Sequence, residues 1–195
     1  MGEAGGRRGL VTAGLAVVLV AGAAGAATSF LQTVLPHPVA SLANSAGSWC
    51  LVAWLLARRA SSPARGVATA VAALLALVAG YYVTADLRGF GVSSTSVGSW
   101  VATAALVGLP LGAGAVWSRT APGRRRVLGA LVLPALLVAE AAYGVLVVGS
   151  TTSPAYWLGE GVVGVALAWL LLARGPRHAR PVGGGGAGHD PVSVR

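Results

Sequence analysis

The chain has 195 residues, 55% of them hydrophobic and only 10% charged, with a mean hydropathy of +0.75. Soluble domains carry about 25% charged residues, so the composition excludes an ordinary soluble domain and indicates a membrane protein. The net charge of +9 comes from arginines placed at the ends of apolar segments, which argues for membrane topology and against nucleic-acid binding.

Six apolar segments follow in order, over roughly residues 10–30, 39–57, 66–84, 97–118, 127–149 and 155–173. Each is near the ~20 residues that cross ~30 Å of hydrocarbon. Arg7 and Arg8 precede the first segment, and Arg58, Arg59 and Arg65 follow the second. Arg119 and Arg124–Arg126 follow the fourth, and Arg174, Arg177 and Arg180 follow the sixth. The alternate loops are rich in Ser, Thr and Pro and hold one basic residue, Arg88, beside Asp86. This positive-inside alternation predicts an all-α, polytopic integral membrane protein with six transmembrane helices and both termini cytoplasmic, in a bacterial cell (plasma) membrane. Residues 1–9 form the cytoplasmic N-terminus, 10–175 the transmembrane domain, and 176–195 a Gly-rich cytoplasmic tail expected to be disordered. The first segment with its AGAAGAATS end also has the form of a signal peptide, although Gly22–Ala26 equally suits close helix packing. GSW at 47–49 and 98–100, and AWLLAR at 53–58 against AWLLLAR at 168–174, admit three tandem helical hairpins.

The polar residues inside these segments are few and regularly placed. Glu140 lies 14 residues after Arg126, Glu160 lies 14 before Arg174, and Asn44 lies 14 before Arg58. At ~1.5 Å per residue each is about 21 Å from its arginine, so the three share one level in the outer half of the bilayer. Tyr81 and Tyr82 reach the same level from the third segment. An intramembrane carboxylate costs ~2.5 kcal/mol or more and normally faces the bundle interior, so convergence of the two glutamates is expected. Tyr143, three residues from Glu140, is placed to donate to it. Glu140 and Glu160 are nearly equidistant from the tip of the last hairpin and are expected to share a proton. Gly159 and Gly161 flank Glu160 and would let a backbone or a ligand approach. The candidate ligand-binding set is therefore Asn44, Tyr81, Tyr82, Glu140, Tyr143 and Glu160. The structural alternative reads the glutamates as helix-to-helix hydrogen bonds, worth ~0.6 kcal/mol each.

Three further features stand outside this layer. Pro110 within GLPLGAG is expected to kink or unwind the fourth helix. His37, between Pro36 and Pro38, is a solvated loop residue or a proton relay. Asp86 and Arg88 read as a weak loop ion pair. Cys50 is the single cysteine and reads as packing. No HExxH, G-x-S-x-G, Walker loop or paired-histidine spacing occurs, so no catalytic residue, metal or cofactor is expected.

LPHPVASLANSAGSWCLVAWLLARR, a third segment ending GYY, a fourth beginning GSW with a glycine–proline kink, and a fifth bearing AEAAYG together resemble an uncharacterised family of small six-helix membrane proteins from actinobacteria. The resemblance spans about residues 10–175 and implies an architecture but no activity. Two functions fit the residues. One is small-solute binding or transport through an outward-facing polar pocket. The other is a structural or assembly role, as the partner of another membrane protein or as a homo-oligomer, with arginines on membrane lipids.

Overall fold

The structure is a computed structural model and describes residues 2–173; the Gly-rich tail expected over 176–195, with Arg174, Arg177 and Arg180, lies outside the described residues. The described residues form helices and no strand: α1 (Gly2–Val34), a 3-10 helix (His37–Asn44), α2 (Ala46–Ala57), α3 (Pro63–Leu87), α4 (Ser94–Thr120), α5 (Gly123–Leu146) and α6 (Pro154–Ala173). Val11–Val34 of α1 and all of α3, α4, α5 and α6 are long and apolar enough to cross a membrane.

The second expected segment is not one helix. Its 3-10 half and α2 meet at Ser45 with a bend of 49°, so the fold holds five candidate spans, or six if the bent pair counts as one. The 12 residues of α2 rise only about 18 Å, little more than half of a ~30 Å hydrocarbon layer. Its N-terminus therefore lies inside the bundle. Local chemistry makes the break. Pro36 and Pro38 start the 3-10 turn, where their fixed φ and missing N–H are tolerated. Ser45 is extended, at φ −83° and ψ 131°, and its Oγ accepts the Ser48 N–H at 3.3 Å as an N-cap. The Ser48 hydroxyl has the carbonyls of Ser45 and Leu42 as alternative acceptors, at 2.8 and 3.0 Å, and so links α2 to the 3-10 half.

Around α2, α1 packs on α3, α3 on α4, α4 on α5 and α5 on α6, while α2 itself touches α3, α4 and α5. The last four helices thus pair as the two expected hairpins, but α1 lies mainly against α3 and touches the second segment, chiefly its 3-10 half, less extensively. Close approach explains that choice. A Cβ at Gly25 would lie 2.9 Å from the Leu77 Cα, and one at Gly80 would lie 2.9 Å from the Gly22 carbonyl carbon, so only glycine lets α1 and α3 meet here. Trp54, Leu77, Leu111 and Leu133 are fully buried in the core, with Cys50 a buried free thiol among them.

Pro110 does not interrupt α4, which runs unbroken from Ser94 to Thr120. Its neighbours Gly108 and Gly112 are buried against Val71 and Gly66 of α3. The arginine-rich connections share one end of the bundle. Arg119 donates to the carbonyls of Arg58 and Ala60 at 3.1 and 2.9 Å, and Arg126 donates to Leu171 at the close of α6 at 3.0 Å.

Candidate functional site

The buried start of α2 is where the polar chemistry gathers. A helix leaves its first N–H groups without intrahelical partners, and its N-terminus carries about half a positive charge. In water those groups would be hydrated; inside an apolar bundle they must be met by protein. Glu140, projecting from α5, meets two of them. Its Oε1 accepts the Ala46 N–H at 2.8 Å, and its Oε2 accepts the Gly47 N–H. With Ser45 Oγ holding the Ser48 N–H, the first turn of α2 is capped by one carboxylate from another helix and one hydroxyl of its own.

Glu160, from α6, approaches the same point. It is only 8% exposed. Ser45 Oγ lies 3.0 Å from Glu160 Oε1 and 3.2 Å from Glu140 Oε2. Ser45 itself is fully buried. A hydroxyl has one hydrogen, so it serves one carboxyl at a time. The two carboxyls thus meet at this one hydroxyl. Glu160 Oε2 is buried and has no hydrogen-bond partner.

Gly47 makes this arrangement sterically possible. A Cβ there would stand 2.6 Å from Leu137 Cδ2 and 2.8 Å from Glu140 Oε2, and closer still to Glu160 Oε1. The carboxylates occupy the space that any other side chain would fill.

Beside the pair an open groove of about 440 Å³ runs between the 3-10 helix, α2 and α6. Pro38, Val39, Leu42, Leu51 and Val163 give it apolar walls, while Ser48, Tyr156 and Glu160 supply its polar groups. Gly159 also lines it, and a Cβ at Gly159 would have nothing within 4 Å. The glycines flanking Glu160 therefore differ: Gly159 opens onto the groove, whereas a Cβ at Gly161 would make ordinary contact with Ala141 at 3.4 Å.

Of the expected site residues, Glu140 and Glu160 come together; the others lie apart from them. Asn44 is exposed at the end of the 3-10 helix, and its neighbour Ser45 is the residue that reaches the carboxyls. Tyr143 is 56% exposed, and no hydrogen bond joins its hydroxyl to Glu140 among the described residues. Tyr81 donates to Gln32 of α1 at 2.6 Å and packs on Trp49 and Tyr82, with ring centroids 5.6 and 5.1 Å away. These rings line the α1–α3 side of α2, away from the α6 groove. Ser45, Ala46 and Gly47 were missed because two act through backbone N–H groups, which have no side-chain signature. The signal available was the N-cap pattern Ser45-x-x-Ser48 inside an apolar run.

The expected Asp86–Arg88 pair is replaced by a different contact. Arg88 donates to the Ser29 carbonyl and to Thr33 Oγ1 (2.8 Å), and its guanidinium lies 4.4 Å from the Phe30 ring and 5.0 Å from the Phe90 ring. A guanidinium gains more from a carbonyl and two ring faces than from a solvated carboxylate two residues away. The contact clamps the end of α1 to α3.

With this geometry in place, comparison with known proteins adds one relation. The model of a family of unknown function, DUF6518, matches residues 5–186. The chain belongs to that family. Apart from the first three residues of α1, the match covers every described helix of this DUF6518 member, the bent second segment and both glutamates included. No curated protein matches the chain, and no solved structure matches it.

Proposed function

We propose that this chain is a multi-pass protein of the bacterial cell membrane, with both termini cytoplasmic, that binds or transports a small solute in the groove beside Glu160. The gathering of arginines from separate connections at one end supports the orientation. On that orientation the groove opens in the outer half of the bilayer, because Glu140 and Glu160 lie six residues, or about 9 Å, from the opposite ends of α5 and α6.

One observation carries the reading. Glu140 is satisfied by protein donors, but Glu160, which lines the groove, keeps a buried oxygen without a partner. Buried polar atoms are nearly always hydrogen-bonded, and an orphan beside a cavity fits a ligand's donor. Glu140 is thus the structural member of the pair and Glu160 the binding member. The assembly reading rests on a second groove, of about 860 Å³, whose lining comes from α5 and α6 and includes Trp157 and Trp169. It has no charged group to orient a partner, which ranks it second.

A thermal-shift screen of small organic solutes on purified protein tests the proposal, since a ligand must raise apparent stability. Solutes should stabilise the parent and not Gly159→Leu, whose side chain fills the groove. A screen in which every solute acts equally on both proteins removes the binding reading.

A further inference from the structure

We infer that the solute taken by this groove is a mostly apolar organic monocation, and that its binding displaces one proton held between Glu140 and Glu160. This rests on the solute-binding reading above and specifies its ligand.

Charge balance around the pair leads to this. The titratable groups facing the two carboxyls are Tyr156 on α6 and Cys50 on α2, and no basic side chain among the described residues reaches either carboxyl. The 3-10 helix contributes His37 only at its exposed outer start. The one positive element is the N-terminus of α2, and its N–H groups are spent on Glu140. That terminus therefore balances one negative charge and leaves the second uncompensated. Two carboxyls brought to one hydroxyl need a second hydrogen, because the single Ser45 O–H cannot serve both. A proton on the pair supplies the missing positive charge, and Glu160, which lacks backbone donors, is where it resides.

A ligand that takes the place of this proton must bring one positive charge to Glu160. An alkylammonium head can do so by donating an N–H to the Glu160 oxygen that has no partner. The exchange conserves charge: R–NH3+ enters, the Glu160 O–H bond breaks, the proton passes to solvent, and an N–H···O bond to the carboxylate forms. A bare metal ion fits poorly, because it needs several oxygen ligands and the groove walls are Pro38, Val39, Leu42, Leu51 and Val163. Those same walls suit an apolar body behind the charged head.

The test uses the full chain in detergent, with n-hexylammonium as probe and n-hexanol as its neutral counterpart. Calorimetric titrations in phosphate and in Tris, which differ in ionisation enthalpy, count the protons exchanged. Hexylammonium should bind with about one proton released per site, and its affinity should rise about tenfold per pH unit while the pair remains protonated. Hexanol should bind at least tenfold more weakly. Glu160→Gln should abolish ammonium binding, and Gly159→Leu should abolish it without touching either carboxyl. Equal binding of alcohol and ammonium, blocked by Gly159→Leu but with no proton released, would overturn the exchange while leaving a solute groove. Binding of neither probe, or binding indifferent to both substitutions, would overturn the exchange and the groove together.

Discussion

Removing the Glu140 side chain should do more damage than removing any other polar group in the bundle. Glu140→Ala withdraws acceptors from the Ala46 and Gly47 N–H groups at once. Each donor left unsatisfied in a buried place costs about 1–3 kcal/mol. Loss of the negative charge at a helix N-terminus adds about 0.3–1 kcal/mol, more where the site is partly buried. Glu140 is not fully buried, so the middle of that range applies, about 3–5 kcal/mol in all. Glu160→Ala is the control. It removes one acceptor of the Ser45 hydroxyl, which can turn to Glu140, and should cost at least about 2 kcal/mol less. Reversible unfolding in mixed micelles, followed by circular dichroism, measures both. Hydrogen exchange adds a local reading: the Ala46 and Gly47 amides should lose protection in Glu140→Ala and keep it in Glu160→Ala. Equal destabilisation of the two variants, or unchanged protection of those amides, would refute the assignment of Glu140 as the cap of α2.

Other substitutions separate the close contacts from the open ones. Gly47→Ala places a methyl 2.6 Å from Leu137 Cδ2 and among the carboxyl oxygens, and should cost about 2–4 kcal/mol in the same unfolding assay. Gly159→Ala meets nothing within 4 Å and should be neutral or stabilising by up to about 1 kcal/mol, since alanine is the better helix former. Arg88→Ala should loosen α1 from α3 by about 2–3 kcal/mol, read as faster proteolysis near residues 29–33, and Arg88→Lys should not restore it because an ammonium cannot fork between the Ser29 carbonyl and Thr33. Asp86→Ala should be silent in both assays, because Asp86 is exposed.

Much of this architecture was legible in the residues. Apolar length and arginine placement located the helices, since burial of backbone polar groups in hydrocarbon forces helix on any apolar run of that length. The counting rule that put Glu140 and Glu160 at one height relies only on helical rise, and both do reach the N-terminus of α2. The same rule missed the residue that joins them by one position, selecting Asn44 in place of Ser45. It assumed a continuous second helix, and the break at Ser45 turns that face. Tyr143 failed for an angular reason: three residues along a helix is a 300° rotation, which leaves two side chains adjacent but not aimed alike. Arg88 failed because a local rule was applied without neighbours. An arginine pairs with the nearest acid unless better acceptors lie on the next helix. The groove had one sequence signal, Gly159 beside Glu160. Its walls are otherwise ordinary aliphatic residues, set by the bend between the 3-10 helix and α2.

A double-mutant cycle on Glu140→Gln and Glu160→Gln asks whether the two carboxyls truly meet at the start of α2. Residues sharing a hydrogen-bond network couple by about 0.5–3 kcal/mol, whereas sites more than ~7–10 Å apart add within about 0.3–0.5 kcal/mol. Contact through Ser45 and through one proton predicts a coupling of at least about 1 kcal/mol in folding free energy. Strict additivity of the two substitutions would mean that the carboxyls stand apart, and the exchange site could then not exist.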